Sequence, residues 1–347
     1  MKDTKEQEAF LSQQQSAMSK DEQDAVQDML DFIKSGNAQP GSKPGMAHAL
    51  KLSYNLVDKA AFHYDAASKT LTYRYKFTND IPKPSVGLLT ALQDESVAFS
   101  SFAVGRPCSP GASLQMQTEL LVSSLDSISV GDVIEMATTI TKLGRVVTNS
   151  VTEFRIPTRS AGTNDTSSFS KRLAISSQVK YMPTGSWFAD QLFGSRVLWN
   201  VYKSMLLSST TIPFDDEIPL RNVIQDTLEW KGTGRATFSF SKQHTNPFGN
   251  LHGGCHAMLM ETVGLRYAKG ELRNECVMLQ AIQIDYLKAP KRPFVDIECE
   301  TLALNDDKTV LHARVLLKRP QDGKIASDGK LRFVLYDPSK AKLASAL

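Results

Sequence analysis

An internal duplication is the feature that most constrains the fold of this chain. Moving the first half of the 347-residue sequence by 167 positions superposes Asn79 on Asn246 and Asp94 on Glu261, with no gap between them. Self-similarity at one fixed offset indicates two copies of the same structural unit. The sequence therefore predicts two domains of similar fold rather than one large domain.

Each copy contains the same order of patterns. Residues 71–80 alternate like a strand and precede a helical pattern at 88–105, and residues 235–246 and 255–270 repeat this order. After a one-residue adjustment, 112–121 corresponds to 278–287, and both alternate like strands. Further strand patterns lie at 132–141, 145–156, 294–304, 309–319 and 330–336. We expect an α+β fold in which a long helix is wrapped by an antiparallel sheet in each half.

Composition suggests where these units begin and end. Residues 1–44 form a polar extension with one predicted helix, and the first unit is expected at 45–157. A Ser/Thr/Asn/Gly cluster predicts a linker at 158–185. An amphipathic helix is expected at 186–214, either covering a core face or acting as a lid over an acyl channel. The second unit is expected at 215–340.

Charge and hydropathy exclude several classes of partner. The net charge is only +3, which argues against a nucleic-acid partner. No stretch reaches the roughly 20 apolar residues that cross a bilayer. Four scattered cysteines favour a reducing compartment, and the amino terminus has neither a signal peptide nor a typical transit peptide. We expect a cytoplasmic protein, with a mitochondrial location left open.

One motif in the second half contains residue types that are typical of an active site. Asn246 is followed six residues later by His252, Gly253 and Gly254, and Glu261 lies nine residues after the histidine. This order resembles the signature of hotdog-fold acyl-CoA thioesterases of the phenylacetic-acid-pathway type, in which a Ser or Thr often starts the next strand. It implies a hotdog fold in both halves, hydrolysis of acyl-CoA esters and no requirement for a metal or cofactor. The resemblance covers residues 46–157 and 215–337.

The residues of the motif also suit this chemistry on physical grounds. The first N–H groups of a helix lack partners and carry partial positive charge, so Gly253 and Gly254 could stabilise a developing oxyanion. A nearby carboxylate could act as general base on water or attack the carbonyl itself. Glu261 lies two turns further, about 10 Å along its own helix, so the acid must come from the other unit.

The two copies have lost complementary parts of the motif. The second keeps Asn246 and the His-Gly-Gly run but has Leu279 at the Ser/Thr position, whereas the first has Ser85-Val86-Gly87 and keeps Asp94 and Ser113. One composite site is therefore expected, with Asp94 separated from the helix start by a gap the size of a thioester. The reciprocal pairing looks impaired and combines Asn79, Ser85, Gly87, Glu261 and Leu279.

Each residue of the composite site receives an expected role. Gly253 is expected to polarise the thioester carbonyl, and Gly254 is expected to bind the substrate next to it. Asp94 is the base or nucleophile, and Ser113 orients it or the water. Glu95 is a rival for Asp94 if the helix is shifted by one residue. The two remaining motif residues, which shape the oxyanion side or hold water, are Asn246 and His252.

Less specific interpretations stay open for several of these positions. The glycine pair could serve only packing, Asp94 could be solvated, and Ser113 needs no function at a strand start. A basic loop could bind the phosphates of CoA or simply be solvated. The residues of this basic loop are Lys288, Lys291 and Arg292.

Three rival functions follow from the same residues. His252 and His256 share a helix face as metal ligands do, but no third ligand stands at a recognised spacing, so no metal is expected. A hotdog hydratase would carry Asp two residues before Asn, whereas position 244 is His. A non-catalytic hotdog protein that binds acyl-CoA or a protein partner is the main alternative.

For the oligomeric state, we expect a homodimer of tandem hotdogs.

Overall fold

The computed structural model describes most of both repeats. It covers residues 63–79, 83–103, 112–144, 147–156, 171–181, 227–241, 244–246, 249–290 and 293–337, together with 20, 23, 24 and 224. The predicted helix in residues 1–44 and the predicted amphipathic helix at 186–214 lie outside these ranges, apart from the isolated residues of the first.

Within the described residues, the first repeat contains six strands and one long helix, α1. The helix begins after Ser85, whose carbonyl accepts from Leu89 N at 2.9 Å and whose hydroxyl accepts from Leu88 N at 3.2 Å. Its elements in chain order are β1 His63–Asp65, β2 Thr70–Lys76, α1 Val86–Ala103, β3 Ala112–Leu120, β4 Val133–Leu143, β5 Val147–Ile156 and β6 Lys171–Tyr181.

The second repeat has the same order of elements. Its helix, α2, ends at Arg273, which takes the left-handed conformation with φ 51° and donates its N–H to Lys269 O. The elements are β7 Leu228–Trp230, β8 Arg235–Ser239, α2 Gly253–Leu272, β9 Val277–Tyr286, β10 Phe294–Leu304, β11 Val310–Lys318 and β12 Ile325–Leu335.

All twelve strands form one antiparallel sheet with internal symmetry. The strand order is β1-β2-β4-β5-β6-β3-β9-β12-β11-β10-β8-β7, so the second half repeats the first in reverse. The halves join where β3 pairs with β9, and there Gln117 lies opposite Gln283, its own counterpart in the repeat. This arrangement confirms the predicted fold class, two tandem hotdog units that share a continuous sheet.

The two helices cross closely on the same side of the sheet. A Cβ atom on Gly254 would lie 2.6 Å from the Ala91 Cα, and one on Gly87 would lie 3.1 Å from the Met258 Cα. Because real Cβ atoms do not approach backbone so closely, glycine is required for the helices to meet at these points. The start of each helix therefore faces the middle of the other.

The predicted linker at 158–185 is wrong for residues 171–181. These residues form β6, which lies between β5 and β3 in the sheet. Its inward-facing side chains Ser176, Gln178 and Lys180 are polar, so the alternation of buried and exposed positions is not an alternation of apolar and polar residues. The first unit therefore extends at least to Tyr181. Among the described residues, no helix is long and apolar enough to cross a membrane.

Candidate active site

The amino end of α2 presents backbone donors. His252 caps the helix in an extended conformation, and its Nδ1 accepts from Gly254 N at 3.0 Å. The Gly253 N–H has no acceptor among the described residues, whereas the Gly253 carbonyl accepts from the Tyr286 hydroxyl at 2.8 Å. An unpaired N–H at a helix start carries partial positive charge. Within the described part of the chain, the Gly253 N–H at the amino end of α2 is therefore available as a donor.

Asp94, in the middle of α1, faces this helix start. Its Oδ2 accepts from Gly254 N at 3.1 Å, while its Oδ1 accepts from Ser113 Oγ and Gln178 Nε2, each at 2.7 Å. Gln178 Nε2 also lies 2.8 Å from Ser113 Oγ. The carboxylate is thus held on both oxygens by three different elements. The expected thioester-sized gap between Asp94 and the helix start is wrong, because they are in direct hydrogen-bond contact.

Gly253 must be glycine for this contact to form. A Cβ at this position would lie 2.5 Å from Asp94 Oδ2 and 3.4 Å from Ser113 Oγ. The first distance is shorter than side chains allow, so any other residue would push the carboxylate away. The glycine pair therefore has two functions in the structure: Gly254 permits the helix crossing, and Gly253 makes room for the acid.

A histidine, a lysine and a second acid surround Asp94. His252 Nδ1 lies 3.5 Å from Asp94 Oδ2, and Lys180 Nζ lies 3.9 Å from Asp94 Oδ1. On its other side, His252 Nε2 lies 2.7 Å from Glu95 Oε1. All four side chains are buried. We call the set of Asp94, Glu95, Ser113, Gln178, Lys180, His252, Gly253 and Gly254 the composite site.

These contacts set the charge of the two central groups. Burial alone would raise the pKa of Asp94, but His252, Lys180 and the hydrogen bonds from Ser113 and Gln178 outweigh it, so the pKa is lowered. Burial would lower the pKa of His252, but the carboxylates of Glu95 and Asp94 outweigh it and raise the pKa. Asp94 is therefore ionised at neutral pH.

Sequence reasoning missed three members of this region. Gln178 and Lys180 lie on β6, inside the stretch taken for a linker, and Tyr286 ends β9 beneath Gly253. The run from Leu173 to Tyr181 does alternate, with Ser176, Gln178 and Lys180 facing inward. Testing that run for strand periodicity without requiring apolar residues would have found β6.

The other predicted residues take different positions. Glu95 binds His252 and does not replace Asp94 at the helix start. Asn246 closes the turn before α2, where its Oδ1 accepts from Asn250 N at 3.2 Å. Lys288 Nζ lies 3.8 Å from Asp322 Oδ2. Lys291 and Arg292 lie outside the described residues.

The imidazole of His256 binds a hydroxyl outside the composite site. Its Nδ1 lies 2.8 Å from Ser327 Oγ, and burial lowers its pKa to about 3. His252 meanwhile directs Nε2 to Glu95. The two histidines therefore have separate protein partners, although they lie four residues apart on one helix.

The reciprocal site repeats the backbone geometry with different side chains. Glu261 Oε2 accepts from Gly87 N at 3.0 Å and from Ser85 Oγ at 2.5 Å. Burial raises the pKa of Glu261, although the bonds from Ser85, Gly87 and Val86 oppose that rise. Leu279, at the position of Ser113, is buried, and Asn79 is exposed beyond β2. Glu261 therefore caps α1 but has no polar neighbour at the Leu279 position.

Comparison with known proteins gives one informative match. Residues 248–326 match the family model described as the Thioesterase superfamily, a range that begins just before the amino end of α2. A search of curated proteins found no match to this chain.

Several solved structures are distantly similar. An acyl-ACP thioesterase from Bacteroides thetaiotaomicron has 11% identity and a TM-score of 0.47, with 78% of this chain and 99% of that chain covered. The tesB protein of Mycobacterium avium subspecies paratuberculosis has 8% identity and a TM-score of 0.47, with 84% and 100% covered. An acyl-CoA thioesterase II from Mycobacterium marinum has 10% identity and a TM-score of 0.43, with 80% and 97% covered. At these scores the likeness carries no argument about this chain.

Proposed function

We propose that the whole chain is an acyl-CoA thioesterase with one composite active site between its two units. The proposal is supported by the match of residues 248–326 to the model of the Thioesterase superfamily. The superfamily match agrees with the predicted class of enzyme, a hydrolase that acts on thioester bonds. The acyl-CoA substrate and the composite site are the further steps of this proposal.

One observation carries the proposal. The ionised Asp94 of the first unit lies 3.1 Å from the Gly254 N–H of the second, beside the unoccupied donor of Gly253. A thioester whose carbonyl oxygen accepts from Gly253 N would meet a helix dipole suited to the charge that develops during attack. Ser113 and Gln178 hold Oδ1 of the same carboxylate, whereas Oδ2 accepts from Gly254 N and lies beside Gly253, so Oδ2 is the oxygen that would take part in the reaction.

The reaction then needs only water. Asp94 takes a proton from a water molecule while the water oxygen bonds to the carbonyl carbon. The carbon–sulfur bond then breaks with its electron pair leaving on the CoA sulfur, which takes the proton back from Asp94. In the alternative path Asp94 attacks the carbon itself, and water cleaves the resulting anhydride. Single turnover in ¹⁸O-labelled water separates the paths, because only the second brings the label into Asp94.

The decisive experiment compares the two acids. Thiol release from a panel of acyl-CoA esters is measured for the unaltered protein, Asp94→Asn and the matched control Glu261→Gln. We expect Asp94→Asn to lower kcat/KM by about 10²- to 10⁴-fold, the usual contribution of a general base. Glu261→Gln should change it by less than about threefold, well under 1.4 kcal/mol of barrier.

Each other outcome has a defined meaning. Equal losses in both variants would indicate two working sites and contradict the single composite site. If the unaltered protein binds the esters but hydrolyses none, the chain is the non-catalytic binding protein of the alternative hypothesis. CoA binding through Lys288, Lys291 and Arg292, the homodimer and the cytoplasmic location stay predictions.

A further inference from the structure

Glu95 is the buried acid of the composite site for which the proposed hydrolysis gives no role. It follows Asp94 directly on α1, yet its side chain takes a different direction and reaches across to the other unit. Its Oε1 lies 2.7 Å from His252 Nε2, and both side chains are about nine-tenths buried. Since a buried carboxylate is costly unless it is paired, a contact this short is a specific interaction.

The internal repeat offers a comparison for this pair. The position equivalent to His252 in the first unit is Ser85, and the position equivalent to Glu95 in the second unit is Thr262. The reciprocal site has therefore lost both members of the pair, although it keeps an acid at Glu261 on a glycine N–H. The Glu95–His252 pair occurs only where the complete set of polar groups surrounds the acid.

The pair determines which nitrogen of His252 faces the reaction. With Nε2–H directed to Glu95, Nδ1 is the atom 3.0 Å from Gly254 N and 3.5 Å from Asp94 Oδ2. Neutral His252 then accepts from Gly254 N at Nδ1. Protonated His252 instead presents an Nδ1–H to Asp94, and Gly254 N is left to Asp94 alone. Glu95 thereby connects the charge on His252 to the hydrogen bonds of Asp94.

We propose that Glu95 is a positioning residue that fixes the orientation and charge of His252, and through His252 the ionisation of Asp94. This role rests on the proposed thioesterase function. It is supported by the direction of the His252 pKa, which Glu95 and Asp94 raise against the effect of burial. The other charged or titratable groups nearby are Tyr73 on β2, Lys180 on β6, His256 on α2 and Tyr286 on β9.

The first measurement requires no catalysis. Nitrogen-15 NMR of the six histidines, with His252 assigned through a His252→Asn variant, follows the titration of each ring. In Glu95→Gln the amide oxygen can still accept from Nε2–H, but the negative charge is gone. We expect the His252 titration to move to lower pH by about one unit, as loss of a buried charge partner requires. An unchanged titration would overturn the proposal, whether or not the protein hydrolyses any ester.

The second measurement is the pH dependence of kcat/KM. Without the imidazolium beside it, Asp94 loses a group that lowers its pKa, so the acid limb of the profile should move to higher pH in Glu95→Gln. Because the Asp94 pKa starts below its ordinary 3.8, the loss should appear only at the acid end of the profile, below about pH 5, and kcat/KM at neutral pH should stay unchanged. Glu271→Gln, an exposed acid on α2, is the control and should leave the profile unchanged.

A purely structural role predicts a different pattern. If Glu95 only supported folding, Glu95→Gln would lower kcat/KM by the same factor at every pH, and the acid limb would stay in place. Glu95→Asp keeps the charge, so the proposal requires it to retain more of the low-pH activity than Glu95→Gln. If the unaltered protein has no thioesterase activity, the proposed function fails, while the NMR titration still decides whether Glu95 controls His252.

Discussion

The composite and reciprocal sites share one backbone arrangement, but the side chains beneath the acid are polar in the first and apolar in the second. In each, a carboxylate in the middle of one helix accepts from a glycine N–H at the start of the other, at 3.1 Å for Asp94 and 3.0 Å for Glu261. The strands beneath them differ, since Ser113, Gln178 and Lys180 stand where the second unit has Leu279, Leu331 and Phe333. A position beside a helix start is common to both acids, so the polar groups beneath Asp94 are what set the composite site apart.

The opposite pKa shifts of the two acids express this difference. Polar partners lower the pKa of Asp94 despite its burial, whereas burial raises the pKa of Glu261. An acid that stays ionised can serve as base or nucleophile near neutral pH, while an acid inclined to keep its proton suits a structural hydrogen bond. The duplicated fold therefore supplies the same backbone arrangement twice. The side chains beneath each acid determine whether that acid suits catalysis or a structural hydrogen bond.

The largest effect is expected at the glycines. Gly253→Ala should lower kcat/KM by about 10²- to 10³-fold, because its Cβ would displace the Asp94 carboxylate and disturb the oxyanion donor. Its melting temperature should change little, since the obstructing atom is the end of a side chain. Steady-state kinetics and thermal unfolding of the same samples test both statements.

Gly254→Ala is the matched variant that should separate stability from activity. Its Cβ would meet the Ala91 backbone at 2.6 Å, so the helices themselves must move apart. We expect a lower melting temperature than for Gly253→Ala, by several degrees. A Gly253→Ala protein that unfolds as early as Gly254→Ala would indicate that both glycines serve only packing.

The second prediction exchanges residues between the two interiors. Gln178→Leu gives the composite site the residue of its counterpart, Leu331, and should lower kcat/KM by about tenfold to a hundredfold through loss of the bonds to Asp94 and Ser113. The opposite exchange, Leu331→Gln, buries an amide among apolar side chains. It should lower the free energy of unfolding by on the order of 1–3 kcal/mol and leave kcat/KM nearly unchanged.

Kinetics and urea denaturation distinguish these outcomes. If Gln178→Leu kept full activity, the polar strands beneath Asp94 would have no part in the chemistry. The difference between the two sites would then need another cause, such as His252.

The fold could be predicted from the sequence because its evidence is periodic. Both helices and the alternating strands, including β3 and β9 at the joint of the sheet, were found from apolar spacing and the repeat offset. β6 was not, because its inward side chains are polar and serve the site. The rule that locates core strands fails where a strand carries buried polar residues.

The site was predictable only as far as spacing along the chain determines contact. The offset paired Asp94 with Glu261, and helix length showed that each acid needs the other unit. Two details depend on side-chain direction across the interface instead: the direct bond from Gly254 N to Asp94 and the reach of Glu95 to His252. No spacing between positions in a sequence specifies those directions.

The smallest predicted effect is on stability, and it has opposite signs in the two acids. Asp94 has a folded-state pKa below its ordinary 3.8, so its contribution to stability is complete above that pH and is lost only as the pH falls through the lower value. Asp94→Asn should therefore lower the free energy of unfolding at pH 5, and the loss should become smaller as the pH rises through the raised pKa of His252, whose proton Asp94 helps to hold. Glu261 has a pKa raised above its ordinary 4.5, so its ionisation weakens the folded state as the pH rises through the higher value.

Glu261→Gln should accordingly raise the free energy of unfolding at pH 7, by up to about 1 kcal/mol, because the amide oxygen still accepts from Gly87 N without a buried charge. The gain should diminish as the pH falls to the raised pKa of Glu261, because the acid of the unaltered protein then regains its proton in the folded state. Urea denaturation at several pH values measures both differences. Two variants that lose stability alike, with no dependence on pH for Glu261→Gln, would mean that both acids are held as carboxylates, and the electrostatic contrast between the sites would be gone.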